Sequence, residues 1–269
     1  MERPAECVEI HNRLAKVGLE IHHCREYWSR ASVAAGSGFN EEAFRVDAKR
    51  AFEECWFGGK SLPAVQLLLA SLRVRFDAYP SALSVLAGWK EMAADSRRVI
   101  CHWHLQLADP LYRRFTGGFL VERRDQQRMD VTRDLVTRWV ETQCEGRWAL
   151  NTCVKFSSKL LSAAYAAGLL STNRDPRPMR YPMVDDPALT YLMFLLREVQ
   201  FEGRLLDNPY LTSVGLRDDI LERRLKRLAA IRFRRQADLV DFDWQFDSLA
   251  DWARATVGAE GVMPLRGAS

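Results

Sequence analysis

The segment Arg147-Trp-Ala-Leu-Asn-Thr-Cys-Val-Lys-Phe-Ser-Ser-Lys-Leu-Leu-Ser-Ala-Ala-Tyr-Ala-Ala-Gly-Leu-Leu170 decides the fold of this chain. Its apolar residues recur at intervals of three and four, which is the spacing of one buried face of a helix. Asn151 or Thr152 suits the N-cap of that helix, and Gly168 suits its end. The sequence therefore predicts a helix up to Gly168, followed by a short strand at 169–170.

The polar side of this predicted helix carries two lysines among small polar residues. In chain order these residues are Thr152, Lys155, Lys159 and Ser162. Residues at such intervals share one side of a helix. Small polar side chains and lysines let a polyanion come close, whereas bulky apolar groups would block it. We therefore predict that these four side chains contact DNA.

The next stretch, 171–182, cannot be helical because it has three prolines in seven residues. We expect Met179–Tyr181 to pair back with Leu169–Leu170 and to form a short hairpin. The arginines of this hairpin are Arg174, Arg177 and Arg180. A helix, a small basic hairpin and a further helix make up a winged helix-turn-helix, in which the first helix enters the major groove and the wing follows the backbone. Some winged domains bind only proteins, so a protein-binding wing also fits the sequence.

The same part of the chain resembles a known family. The residues that carry the resemblance are Trp148, Thr152, Lys155, Leu160-Leu161, Ala167-Gly168-Leu169-Leu170, Pro182 and Tyr191-Leu192 before an apolar helix. They are similar to the BrxA family, which accompanies the BREX systems of bacteriophage defence. The resemblance is clearest over about 145–200, is loose upstream and does not extend to 201–269. It implies a helical N-terminal part, a winged-helix-like C-terminal part, binding of double-stranded DNA, no catalytic activity and other BREX proteins as partners.

The remainder of the chain predicts a mainly α protein. Helical spacing begins at 5–30 and recurs through the first 140 residues, without a long strand pattern. We expect an all-helical N-terminal domain over 1–145, a winged-helix-like DNA-binding segment with a small β-hairpin over 146–200, and a helical extension over 201–269.

The extension is expected to contain a basic helix. Residues 217–235 hold eight Lys or Arg residues against three acids. The arginines of the predicted helix are Arg223, Arg224 and Arg227, followed by Arg232, Arg234 and Arg235. This helix fits a second phosphate-contacting surface and, equally, a surface for an acidic partner. Four aspartates at 238–247 would neutralise the arginines if that stretch, which has a partial strand pattern, folds against them.

The composition is that of a globular protein and argues against a membrane or secreted protein. Apolar residues make up 48% of the 269, the proportion of a globular chain. No apolar run reaches the roughly 20 residues of a membrane helix, and the first residues lack the pattern of a secretory signal. The six cysteines are scattered without a CxxC pair, as is typical of reduced thiols. We expect a cytoplasmic protein that does not contact a membrane.

Candidate metal and catalytic groups are sparse. Cys7 and His11 would share one face of the first predicted helix, but no second pair with regular spacing completes a zinc site. His102 and His104 fall on opposite sides of their helix, so packed or hydrogen-bonded histidines are the favoured interpretation. No nucleophile set or glycine-rich phosphate loop is present. We expect a protein without enzymatic activity, metal, cofactor or small-molecule substrate.

Two hypotheses about function follow. In the first, the chain is a non-enzymatic component of a BREX-type defence system that grips duplex DNA through the basic helix and wing. In the second, it is a scaffold within the same complex whose basic surfaces dock acidic partners without touching DNA. The sequence does not indicate a preferred DNA sequence, an oligomeric state or particular partner subunits.

Overall fold

A computed structural model describes residues 3–30, 41–236 and 239–258, apart from the side chains of 41–46. The helices are α1 (Arg13–Lys16), α2 (Ile21–Arg30), α3 (Glu41–Glu53), α4 (Leu62–Phe76), α5 (Pro80–Gly88), α6 (Ala94–Ala108), α7 (Pro110–Arg114), α8 (Leu120–Asp125), α9 (Arg133–Cys144), α10 (Leu150–Ala166), α11 (Asp186–Glu198), α12 (Pro209–Ser213), α13 (Asp218–Leu225) and α14 (Leu249–Thr256). One π-helical turn, Phe115–Phe119, joins α7 to α8. The strands are β1 (Asp130–Val131), β2 (Arg177–Pro178), β3 (Ile231–Gln236) and β4 (Leu239–Trp244). The protein is therefore mainly helical, with two small antiparallel sheets, β1–β2 and β3–β4.

The described residues form two compact units. The first lies within Met1–Leu19 and Ala93–Gln245, and the second within Glu20–Met92 and Phe246–Ser269. Each unit is thus assembled from two separate stretches of the chain. None of the described helices combines the length and the apolarity that a membrane crossing requires.

This division differs from the expected segments 1–145, 146–200 and 201–269. The expected boundary near 145 is only a tight turn, in which Glu145 adopts a left-handed conformation between α9 and α10. These two helices pack closely against each other, so the turn lies within one unit. At the second expected boundary, Trp244 packs edge-on against Phe194 at 4.9 Å between ring centroids, which keeps β4 in the same unit as α11.

The core of the first unit is built on α6 and α11, which pack against each other. In α11, every residue from Ala188 to Leu196 is buried. A helix that is covered on all sides belongs in the centre of a domain. Asp185 caps this helix by accepting a hydrogen bond from the Ala188 amide at 2.9 Å.

The two histidines of α6 are fully buried and hydrogen-bonded, as predicted. His102 lies between the Tyr112 hydroxyl and the Ser213 hydroxyl, each at 2.9 Å from one ring nitrogen. His104 lies 2.7 Å from the Tyr191 hydroxyl. Buried polar groups need such partners, so both histidines are core residues.

The second unit has an aromatic and aliphatic core around α4. The buried residues of α4 include Leu69, Leu72 and Phe76, and the Phe76 ring meets Trp28 of α2 edge-on at 5.4 Å. Trp89 and Trp252 meet in the same manner at 5.8 Å, and this contact fixes α14 on the end of α5. The unit is therefore completed by residues from near the C-terminal end of the sequence.

The single helix predicted over 5–30 is wrong. Helical structure there is confined to α1 and α2, and residues 5–12 are not helical. Ala5 forms a parallel bridge with Gln200, and the Cys7 amide donates to the Leu107 carbonyl at 2.8 Å. Backbone pairing with distant segments replaces the helical hydrogen bonds, so Cys7 and His11 do not share a helix face.

The basic helix of the extension is shorter than predicted. α13 ends at Leu225, and Ile231–Gln236 forms β3, so Arg232, Arg234 and Arg235 lie on a strand. β3 pairs in antiparallel register with β4, which places Arg232 opposite Asp243 and Arg234 opposite Asp241. The acidic stretch therefore does fold against these arginines. Arg232 lies 3.8 Å from Asp243 within the hairpin, whereas Arg235 pairs with Glu222 of α13.

Candidate nucleic-acid interface

Helix α10 forms as predicted, with a different start. It begins at Leu150 after Ala149, so neither Asn151 nor Thr152 is the N-cap residue. Phe156, Leu160 and Ala164 are completely buried on its inner face. This buried face anchors the helix and fixes which side is turned to solvent.

The side of α10 turned to solvent carries the predicted stripe. Lys155 and Ser162 are exposed, and Thr152 and Lys159 are half-buried. The Ser162 hydroxyl donates to the Ser158 carbonyl at 2.8 Å within the helix, which keeps this side chain close to the backbone. The structure therefore brings all four predicted residues to one accessible side.

Two aromatic or apolar residues of α10 are also exposed. Tyr165 is 43% exposed, although helical spacing placed it on the buried face. Leu150, in the first turn, is 61% exposed. Both positions fall at the margin of the apolar stripe, where spacing alone does not decide between core and solvent.

The hairpin after α10 also forms as predicted. Leu170 bridges Met179, the Arg180 amide donates to the Leu169 carbonyl at 2.9 Å, and the Ser171 amide donates to Pro178 at 2.9 Å. Strand β1 adds to its outer side, because Val131 pairs with Arg177. No local sequence pattern predicted β1, which is only two residues long.

The three arginines of the hairpin have different environments. Arg174 is exposed, and its side chain makes no hydrogen bond or ion pair within the described part of the chain. Arg177 is only 13% exposed and pairs with Asp175 at 3.0 Å. Arg180 is exposed, but its Nε donates to the Gly168 carbonyl at 3.1 Å. Arg174 is thus the most available of the three, whereas Arg177 is paired with Asp175. The predicted DNA contact of Arg177 stays a prediction.

A buried arginine supports the base of the hairpin. Arg124 donates to the Arg180 carbonyl at 2.8 Å, and its guanidinium lies over the Tyr181 ring, 4.3 Å from the centroid. Burial lowers the pKa of Arg124 from its ordinary value. A Cβ at Gly215 would come within 2.8 Å of the same ring, and the φ of Gly215 is +80°, so only glycine fits there. Arg124 therefore has a packing role that its sequence position did not reveal.

The predicted DNA-binding arginines of α13 and of the turn after it, which holds Arg227, also differ in their environments. Arg223 and Arg227 are exposed. Arg224 donates to the Val184 carbonyl at 2.7 Å and to Asp186 Oδ1 at 2.8 Å. Arg224 is therefore engaged within the protein, whereas Arg223 and Arg227 are available to a ligand. The predicted DNA contact of Arg224 stays a prediction.

The N-terminal Cys7 and His11 form a polar contact of their own. A hydrogen bond with His11 lowers the pKa of the Cys7 thiol, and His11 Nδ1 lies 3.8 Å from Asp109 Oδ2. Asp109 also caps α7 through the Tyr112 amide at 2.9 Å. Within the described residues, no group of three or more His, Cys, Asp or Glu side chains is arranged to hold a metal ion.

Comparison with known proteins bears on the fold alone. No model of a known protein family matches the chain, and no curated protein matches it. Among solved structures, it is similar to the crystal structure of an uncharacterized protein from Magnetospirillum magneticum. The two are 17% identical, with a TM-score of 0.52 over 68% of this chain and 91% of the other. This similarity indicates a shared fold for that portion.

Proposed function

We propose that the chain binds duplex DNA, with α10 in the major groove and the hairpin that follows along the phosphate backbone. The order of elements supports this proposal. Helix α8, strand β1, helices α9 and α10 and a two-stranded hairpin follow one another, and β1 pairs with the hairpin. A winged helix has this order, and its last helix before the wing is the one that reads DNA.

The observation that carries the proposal is the solvent-facing side of α10. It presents Lys155 and Lys159 among small polar residues, directly before a hairpin whose tip exposes Arg174. Residues 147–180 contain six Lys or Arg against one acid, Asp175. A surface with this excess of positive charge attracts phosphates, and the small side chains between the lysines leave room for the duplex.

The available cations allow the salt dependence to be estimated. Lys155, Lys159, Arg174 and Arg180 lie on α10 and the hairpin. Each phosphate contact contributes about 0.9 to the slope of log affinity against log salt concentration, so four contacts give a slope of roughly −3.6. Most of the affinity would then be independent of sequence, because phosphate contacts position the protein without reading bases.

The cellular role proposed with this activity is that of a non-enzymatic component of a BREX-type defence system. It rests on the resemblance of residues 145–200 to the BrxA family. A DNA-gripping subunit in such a complex would hold the duplex for partner proteins, and the other BREX proteins are the proposed partners.

The experiment that tests DNA binding is a titration of the full chain into fluorescent duplexes of two unrelated sequences, at several salt concentrations. We expect similar affinities for both duplexes and a slope between about −3 and −5, since Arg223 and Arg227 can add contacts. Absence of binding at low salt, or affinity without salt dependence, would exclude the proposal.

A role in docking proteins without DNA contact is the second candidate. It is favoured by two exposed apolar side chains, Met183 at 73% and Ile220 at 49%. Arg224, one turn after Ile220, is bonded to the carbonyl of Val184, which follows Met183. Exposed apolar groups rimmed by charge are typical of protein-binding surfaces. Retention of a partner protein by a chain that does not bind DNA would support this candidate.

A further inference from the structure

We propose that Asp175 is a positioning residue for the hairpin, which holds the hairpin tip against the start of α9 so that Arg174 is presented to DNA. This inference rests on the proposed function. It concerns a residue whose negative charge would, by itself, oppose DNA binding. Asp175 is the one acid in the basic stretch 147–180.

The carboxylate of Asp175 makes two contacts with separate parts of the molecule. Its Oδ2 accepts a hydrogen bond from the backbone amide of Arg133 at 2.9 Å, across 42 residues of sequence. Its Oδ1 lies 3.0 Å from Nε of Arg177. Arg133 is the first residue of α9, and the first amides of a helix lack partners inside the helix. The Asp175 carboxylate therefore contacts the first amide of α9 and the side chain of Arg177 at the same time.

The backbone pairing of the hairpin does not reach the tip. The pairing ends at Ser171 and Pro178, which leaves 172–176 beyond the ladder. Within the tip, the Arg174 amide donates to Thr172 Oγ1 at 3.2 Å. Among the described residues, one hydrogen bond joins the tip to α9, and Asp175 accepts it from the Arg133 amide. The β1–β2 pairing holds Arg177 beside Val131, and the Asp175 carboxylate extends this attachment to the tip and the start of α9, which sets the position of Arg174.

A positioning role and a purely electrostatic role of Asp175 predict opposite changes in DNA affinity when this residue is substituted. A carboxylate near bound phosphates repels them, so its removal should strengthen binding if charge alone matters. If Asp175 positions the tip, Asp175→Ala should weaken binding although it removes a negative charge. Asp175→Asn keeps an acceptor oxygen for the Arg133 amide and should bind at least as tightly as the wild type.

The test compares these two variants of the full chain on a duplex, with Asp134→Ala as the matched control. Asp134 is an exposed acid next to Arg133, and its carboxylate makes no contact with the hairpin tip among the described residues. We expect Asp175→Ala to bind several-fold more weakly, with a salt slope smaller by about 0.9 because one phosphate contact is lost. Asp134→Ala should bind as tightly as the wild type or more tightly.

Hydrogen exchange provides a second measurement that does not depend on DNA. In the free protein, the Arg133 amide should exchange faster in Asp175→Ala than in the wild type or in Asp175→Asn. The inference is overturned if Asp175→Ala binds DNA as tightly as the wild type, or if the exchange of Arg133 is unchanged. If the wild-type chain does not bind DNA, the proposed function fails, and the exchange measurement alone decides whether Asp175 holds the tip.

Discussion

Arg224 donates a hydrogen bond to Asp186 at 2.8 Å, and this contact ties α13 to the first turn of α11. The same guanidinium donates to the Val184 carbonyl, so the segment before α11 is held as well. The neighbouring Arg223 points to solvent. Of two adjacent arginines in α13, Arg224 therefore stabilises the fold, whereas Arg223 is available to a ligand.

This difference predicts different costs of substitution. Arg224→Ala should lower the free energy of unfolding by about 1 kcal/mol, since it removes two hydrogen bonds of a partly exposed charged group. Arg223→Ala should change stability by less than about 0.5 kcal/mol. Urea unfolding of both variants checks this, and equal stability of the two would contradict the assigned role of Arg224.

Two adjacent glycines of the π-helical turn should respond differently to substitution by alanine. A Cβ at Gly117 would lie 2.4 Å from Pro209 Cβ and 2.7 Å from its Cα, whereas Gly118 has open space. Gly117→Ala should therefore destabilise the protein by about 1–3 kcal/mol through overpacking. Gly118→Ala should be neutral or stabilising by up to about 1 kcal/mol, because alanine favours helical structure. Thermal unfolding of the two variants distinguishes these effects, and a Gly117→Ala protein as stable as the wild type would refute the close packing.

His102 predicts a dependence of stability on pH. Burial lowers the pKa of His102 to about 3, while a histidine in the unfolded chain titrates near about 6.5. Between these values the unfolded chain binds one proton more than the folded chain, so this residue makes stability fall as the pH falls. The slope approaches about 1.4 kcal/mol per pH unit below pH 6.

The measurement is an NMR titration of the histidine rings, with the His102 signals identified by their loss in His102→Gln. The His102 signals should not move between pH 8 and pH 5. A titration midpoint near 6.5 would show that the ring is accessible to protons and would contradict its placement between Tyr112 and Ser213.

Local pattern predicted the central part of the chain well. The end of α10 just before Gly168 and the return of the hairpin at Met179 both followed from spacing, a glycine and a cluster of prolines. These signals act within a few residues, so the sequence contains them directly. The acidic stretch folds against the arginines, as its partial strand pattern and opposite charge suggested, but the arginines lie on a strand where a helix was expected.

Features that depend on distant residues were not predictable in this way. The sequence does not show that Arg177 meets Asp175 or that Arg224 meets Asp186, since an arginine in a loop or helix has the same local pattern whether free or paired. The two units each combine separate stretches, as the contact of Trp89 with Trp252 shows. In β3 the apolar residues Ile231 and Phe233 alternate with arginines, which is a strand pattern, and both are buried. The high content of arginine nevertheless favoured a helical interpretation.

The most direct test of DNA binding through α10 is the salt slope of a double variant, Lys155→Ala with Lys159→Ala. The matched control is Lys60→Ala with Lys90→Ala, which removes the same charge from two exposed lysines of the other unit. The α10 variant should fold with wild-type stability, bind two unrelated duplexes more weakly by a similar factor, and show a slope smaller by about 1.8. The control should retain the wild-type slope. Equal slopes for the wild type and the α10 variant would contradict the account.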